Sequence, residues 1–328
     1  MKAARSENLQ MAWSPASGRP VAALSALAVA LCVGIGLWGG ESLLVRSVEI
    51  LIFALFAQSL NLIVGQTGMV SMCHAAFYAT AGYVFGVLQT KYGWHGASGA
   101  IGAAAAAIGA SLLLAIGIGL LISRVSHAYF IMLTLALGQL VYVIIWKWHA
   151  MTGGDDGLIG IVPPPGLQQT RDLFLVFLPF VLGSLGILFC ISRSAFGLTL
   201  TAIRDNPTRA AFIGIPVRQS RLAAFVIAAG FAGLAGVGEA IFHRGMFPND
   251  ASFLTSADAL VVVVLGGTRW FLGPIVGAVL FKALTFGLPA LTDYWLSCLG
   301  LIIIAVALAM PGGVLSVLSS VSTRSRGV

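Results

Sequence analysis

Long apolar runs punctuated by short polar clusters recur along the chain from Val21 to Met310, and none of them alternates residue by residue. Runs without period-2 alternation read as helices, and about 20 apolar residues match a hydrocarbon core about 30 Å thick. The pattern predicts ten spans: Val21 to Trp38, Glu49 to Val64, Met69 to Leu88, Gly96 to Ile122, Tyr129 to Trp146, Leu173 to Ile191, Leu222 to Phe242, Phe253 to Gly267, Phe271 to Pro289 and Tyr294 to Met310. The eighth is short for a full crossing. Glycines interrupt two of the hydrophobic segments, in LNLIVGQTGMVSMCHAAF (Leu60 to Phe77) and in VVVVLGGTRWFLGPIVG (Val261 to Gly277).

Composition supports that pattern. The chain is 59% hydrophobic and only 9% charged, whereas a soluble surface needs roughly a quarter of residues charged. The expected fold class is therefore an all-α polytopic membrane protein with about ten transmembrane helices. Residues 1–20 are expected to form an N-terminal tail, 21–311 the transmembrane domain, and 312–328 a C-terminal tail. The first span follows a polar tail and lacks a small-residue cleavage site, so it reads as a retained helix.

Charge then orients the chain. An even number of spans puts both termini on one side, which holds Lys2, Arg5, Arg19, Arg124, Arg193, Arg204, Arg209, Arg218, Arg221, Arg269, Arg324 and Arg326. The other side holds Arg46, Lys91, Lys147, Arg171 and Arg244, together with most of the acids. By the excess of Lys and Arg in cytoplasmic loops, the first side is cytoplasmic. The net charge of +7 is thus accounted for by topology. No nucleic-acid partner is expected, since no basic groove is interleaved with aromatics.

Candidate chemistry is sparse. GIGLWG (Gly34 to Gly39) matches a dinucleotide pattern but sits inside a span, and the chain has no GxxxxGK[ST], HExxH or GxSxG. No catalytic residue, cofactor or metal is expected, and any energy source belongs to another subunit. Cys32, Cys73, Cys190 and Cys298 all lie in spans without CxxC spacing, which argues against a zinc site or a disulfide framework.

Polar groups beside the two glycine breaks are candidates for a solute path. These are Asn61, Gly65, Gln66, Gly68, Ser71, His74, Gln139, Gly266 and Gly267. Unwound backbone at membrane depth occurs only where protein or water surrounds it, while tight turns between helices explain the same glycines equally well. His74 reads either as a hydrogen-bonded structural histidine or as a path residue. Gly82 with Gly86, and Gly273 with Gly277, have the spacing of close helix packing. Lys282 falls mid-span and is expected to snorkel or to pair with Glu239.

Two loops stand out. TGGDDGL (Thr152 to Leu158), within the extracytoplasmic loop 147–172, reads as a docking site built on Gly153, Gly154, Asp155, Asp156 and Gly157, or as a solvated turn. LTAIRDNPTRAAFIGIPVRQSR (Leu200 to Arg221), within the cytoplasmic loop 192–221, carries four arginines and helix punctuation: Asn206 as a cap, Pro207 at a first helical position, and Gly214 as a stop.

Four stretches together resemble the permease subunit of branched-chain amino acid ABC importers, the LivM type. They are the Leu60 to Phe77 segment, Tyr129 to Leu158, Gly197 to Val217 and Leu260 to Leu280. The resemblance implies the ABC importer permease fold in a bacterial inner membrane, both termini cytoplasmic, and a path for leucine, isoleucine or valine. Implied partners are a second permease subunit of the LivH type, two ATP-binding cassette ATPases, an extracytoplasmic substrate-binding protein, and membrane lipid. It further implies that Arg204, Asp205, Asn206, Arg209 and Gly214 couple to the ATPase, with Arg204 and Arg209 carrying most of the contact. A basic loop anchored on anionic lipid is the competing reading of that stretch. Cys73 stands where relatives usually have glycine, and Lys282 is unusual at its position. Related importers of urea or another small solute share the pattern. An ion-coupled secondary transporter is a further alternative, weakened because Glu49, Glu239 and Asp258 read as lying near span ends. An intramembrane enzyme has no paired acid, base or metal cluster behind it.

Overall fold

The computed structural model describes residues 40–122, 127–310 and 312–316. The expected first span, the N-terminal tail and residues 317–328 lie outside the described residues. The remaining nine expected spans each correspond to a helix. The helices are α1 (Glu41–Thr67), α2 (His74–Thr90), α3 (Gly96–Ile122), α4 (His127–Lys147), α5 (His149–Thr152), α6 (Thr170–Arg193), α7 (Ala195–Asp205), α8 (Pro207–Phe212), α9 (Val217–His243), α10 (Phe253–Gly266), α11 (Gly273–Gly287) and α12 (Trp295–Ala309). The strands described are β1 (Leu158–Ile159) and β2 (Gly245–Met246), paired antiparallel with Leu158 opposite Met246.

Six helices among the described residues are long and apolar enough to cross a membrane. By contrast α2, α10 and α12 have 17, 14 and 15 residues, or roughly 21–25 Å of length. Ten equal crossings are therefore replaced by long and short helices, and the reason lies in two interruptions of the chain.

α1 and α9 are each 27 residues long and pack antiparallel, with Gly238 of α9 against Ile52 of α1. α1 stops because Gly68 takes the left-handed region at φ 73° and returns its N–H to Val64 O. The chain then runs without helix through residues 68–73 and restarts at His74, five residues later than the hydropathy pattern suggests. His74 stacks on Phe56 with ring centroids 5.4 Å apart. Phe56 lies eleven residues before the end of α1, so the non-helical segment has climbed about 16 Å back into the bundle.

α9 ends in the same manner. Arg244 is the one described non-glycine residue with positive φ, at 55°. Residues 244–252 then lead through β2 and a 3₁₀ turn (Pro248–Ala251) to α10. The first turn of α10 meets that of α2, where Ser256 Oγ accepts a hydrogen bond from Ala75 N at 2.9 Å. The two halves thus share one plan of long helix, re-entrant segment and short helix, run in opposite directions as in inverted repeats.

The core is dominated by rings and close helix contacts. Phe77 meets Phe225 edge-on at 5.2 Å. Gly236 of α9 sits so close to α2 that a Cβ there would lie 1.9 Å from Tyr78 O. Gly236→Leu should therefore force α2 and α9 apart, at the 1–3 kcal/mol or more typical of an overpacked core, about. A thermal midpoint lowered by several degrees in the detergent-solubilised chain is the expected readout, and an unchanged midpoint would contradict this contact. The two expected small-residue pairs divide in role. Gly277 meets Val262 O across the α10–α11 hairpin, whereas Gly82 lies between Met246 of β2 and Gly236 O of α9, and Gly86 admits Leu158 of β1.

Candidate translocation and coupling site

On the arginine-rich face, local sequence builds a two-helix elbow. Ser194 caps α7 by accepting from Gly197 N, and Asn206 caps α8 by accepting from Arg209 N at 2.9 Å. Pro207 occupies a first-turn position of α8, and Gly214 at φ 88° ends the turn beyond it. Leu200 and Ile203 are fully buried and seat α7, while Asp205, Asn206, Arg209 and Gly214 are exposed. Phe212 and Ile213, overlooked in the sequence because the loop's charge dominates it, are 86% and 71% exposed at the tip.

Arg204 does not join that exposed set. Its side chain is 23% exposed, it pairs with Asp205 at 3.8 Å, and its Nη1 donates to Gly65 O at the end of α1. Burial lowers the pKa of the guanidinium, an effect that Asp205 opposes. Beside it, Thr201 Oγ1 donates to Gln66 Oε1 at 3.2 Å. A Cβ on Gly68 would lie 2.9 Å from Arg204 Cγ. The elbow is thereby tied at two points to the residues that open the first interruption.

The structure gathers most of the candidate path residues along that interruption. Asn61 and Gly65 face Thr268, since a Cβ on Gly65 would lie 2.5 Å from both Asn61 Oδ1 and Thr268 O. Ser71 and His74 are fully buried. His74 Nε2 and Ser59 Oγ share a hydrogen bond of 2.8 Å, and Ser71 Oγ lies 3.4 Å from Cys73 Sγ. Side chains satisfy the unwound backbone: Met72 N donates to Thr134 Oγ1 and Ala75 N to Ser256 Oγ. Asn61 Oδ1, Gln58 Oε1 and His74 Nδ1 are buried without a partner among the described residues. Gln139 is half-buried beside Gly138, which abuts the backbone of Cys73.

Gly266 and Gly267 have a different setting. The second glycine break is the tight turn joining α10 to α11, where a Cβ on Gly266 would lie 1.8 Å from Gly273 O. The counterpart of the first interruption is instead residues 244–252, whose Phe-Pro-Asn-Asp sequence reads as an ordinary loop.

On the opposite face, Gly153, Gly154 and Gly157 all have positive φ, and a Cβ on Gly157 would lie 2.6 Å from Met246 O. Asp155 and Asp156 are exposed, and Asp155 Oδ1 accepts from Trp146 Nε1 at 2.9 Å. This loop is fastened to the second interruption by the β1–β2 pair and by Gly160 N and Ile161 N, both donating to Arg244 O. Lys91 Nζ donates to Ala150 O and ties in the α2–α3 turn.

Charges within the bundle differ from expectation. Lys282 pairs with Glu49 at 3.6 Å, and Glu239 pairs with His243 at 3.1 Å, so the expected Lys282–Glu239 pair does not form. The reason is that α1 begins at Glu41, eight residues earlier than its hydropathy suggests, which places Glu49 inside the helix. Asp258 likewise lies in the body of α10 and within electrostatic reach of Lys282.

The model of a family described as "Branched-chain amino acid transport system / permease component" matches residues 42–307. The chain is 27% identical over 292 residues to the high-affinity branched-chain amino acid transport system permease protein LivM of Escherichia coli (strain K12), covering 81% of this chain and 68% of the relative. The Salmonella typhimurium LivM is 26% identical over 297 residues, with the same coverage. The Pseudomonas aeruginosa permease protein BraD is 23% identical over 280 residues, covering 80% of this chain and 91% of the relative. No solved structure gives a significant match.

Proposed function

Because the chain belongs to the family of branched-chain amino acid transport system permease components, we propose that it is the membrane subunit that passes leucine, isoleucine or valine through an ATP-binding-cassette importer. In this reading the α7–α8 elbow and both termini face the cytoplasm, where ATPase subunits dock. The 147–172 loop faces outward and meets a substrate-binding protein through Asp155 and Asp156, with Gly153, Gly154 and Gly157 shaping it. A second permease subunit of the LivH type completes the path.

The observation that carries this reading is the double tie of α7 to the first interruption, Arg204 to Gly65 O and Thr201 to Gln66. A surface helix bonded to the last turn of α1, where the first interruption opens, is suited to turn a push from an ATPase into movement of a path. Asn61, Gly65, Gln66, Gly68, Ser71 and His74 border that path, Gln139 stands beside it, and the Gly266–Gly267 turn backs Gly65. The buried unpartnered atoms of Asn61, Gln58 and His74 support the placement, since buried polar groups ordinarily have partners.

Docking falls to the exposed tip. Phe212 and Ile213 supply an apolar knob, and Arg209 a guanidinium able to make planar, bidentate contact with a carboxylate. Arg209→Glu should leave insertion intact and weaken ATPase association by roughly 2–5 kcal/mol if that pair is buried in the complex. Co-purification of the ATPase with the variant reads this out, and recovery equal to wild type would assign the arginines to lipid. The whole reading is tested by reconstituting the permeases, ATPases and binding protein in vesicles. ATP-dependent leucine uptake, unaffected by an ionophore, is expected. Uptake that survives ATP depletion and collapses with the ionophore would replace it with ion-coupled transport, and uptake of urea but not leucine would change the substrate.

A further inference from the structure

Three helices bring opposite charges together on a partly open side of the bundle. Lys282 of α11 lies 3.6 Å from Glu49 of α1, with side chains 23% and 19% exposed, and Asp258 of α10 is exposed and within electrostatic reach of Lys282. The surrounding surface is aromatic. Lys282 Nζ stands 5.1 Å from the Phe53 ring and 5.8 Å from that of Phe286, and the Arg46 guanidinium lies 5.5 Å over the other. Phe53 in turn stacks on Phe281 at 5.9 Å.

The depth of this cluster makes it informative. Glu49 lies eight residues inside α1, about 12 Å from its start. Asp258 follows Ser256 by two residues, and Ser256 bonds the first turn of α2 in the middle of the bundle. Charged groups at such depth face water, a partner or a solute, because lipid tails solvate them poorly. Two carboxylates and two cations also sum to no net charge, and Lys282 has three donors of which Glu49 engages at most part.

We propose that Glu49, Asp258 and Lys282 form a waypoint for the zwitterionic headgroup of an amino acid in transit. The carboxylates of Glu49 and Asp258 receive the α-ammonium, Lys282 receives the α-carboxylate, and Phe53 and Phe286 lie against the apolar side chain. This rests on the importer reading given above and extends its path from His74 past the Phe56 and Phe53 rings to Lys282.

The test uses the complete importer reconstituted in vesicles with radiolabelled leucine. Leucine uptake by the wild-type assembly is the first arm, and its absence would remove the importer reading itself. Given that uptake, Lys282→Met is expected to lower it about tenfold, the loss of a charge-bearing hydrogen bond to the solute. Co-purification of the second permease and of the ATPase, and hydrolysis stimulated by loaded binding protein, should stay at wild-type level. Lys282→Arg should retain most uptake. The double exchange Glu49→Lys, Lys282→Glu restores an ion pair but reverses its polarity, so uptake should remain low. Wild-type uptake by Lys282→Met, or its recovery in the double exchange, would overturn the waypoint and leave a structural ion pair. Loss of the second permease from Lys282→Met would overturn it in favour of a contact between subunits.

Discussion

Gly65→Leu is expected to cut leucine uptake at least tenfold, about, in an importer that still assembles. A Cβ at this position would lie 2.5 Å from Thr268 O, a backbone atom held by the α10–α11 turn, and equally close to Asn61 Oδ1. Asn61 can rotate away, but the carbonyl cannot. The added side chain therefore separates α1 from the turn after α10, at the roughly 1–3 kcal/mol typical of overpacking. It also shifts the Gly65 carbonyl that receives Arg204. Insertion should survive, since the change is apolar and α1 remains a long hydrophobic helix. Gly65→Ala should fall between. Wild-type uptake by Gly65→Leu at normal expression would detach the first interruption from the path.

Arg204→Ala should separate binding from coupling. The Arg204 head is turned toward Gly65 O, so its removal leaves the exposed tip of Arg209, Phe212 and Ile213 unchanged. ATPase co-purification is expected to match wild type. What disappears is a hydrogen bond from a charged donor, worth about 1.5–3 kcal/mol, or roughly a tenfold to hundredfold change in the population tying α7 to the interruption. Hydrolysis should continue while uptake falls by about that factor. Equal loss of ATPase binding would return Arg204 to the docking surface.

Local punctuation was legible in the sequence wherever one residue type has one backbone use. Asn206, Pro207 and Gly214 mark the α8 turn, and Gly68 marks the end of α1, because capping and positive φ are properties of the residues themselves. The hydrophobic runs likewise revealed the helices. Four features needed the fold. Arg204 and Arg209 look alike in a basic loop, and only packing shows one turned inward and the other outward. Residues 244–252 hold proline, asparagine and aspartate, which read as a surface loop although they lead into a helix that starts inside the bundle. The Gly266–Gly267 turn, rich in glycine, looked like a second interruption and is a close contact between helices. The Glu49–Lys282 pair joins residues far apart in the chain, and hydropathy, which began α1 too late, hid the depth of the carboxylate.

The central claim is that α7 and the first interruption move as one body, so a covalent tie should replace the hydrogen-bonded one. Thr201→Cys and Gln66→Cys, placed where the two side chains meet at 3.2 Å, can be joined by a short bis-methanethiosulfonate reagent in a background lacking Cys32, Cys190 and Cys298. Introduced together with Arg204→Ala, the pair is predicted to show low leucine uptake when reduced, recovery toward wild type when crosslinked, and loss again after reductant. Uptake that stays low in the crosslinked protein, or a crosslink that silences the importer when Arg204 is intact, would contradict the account.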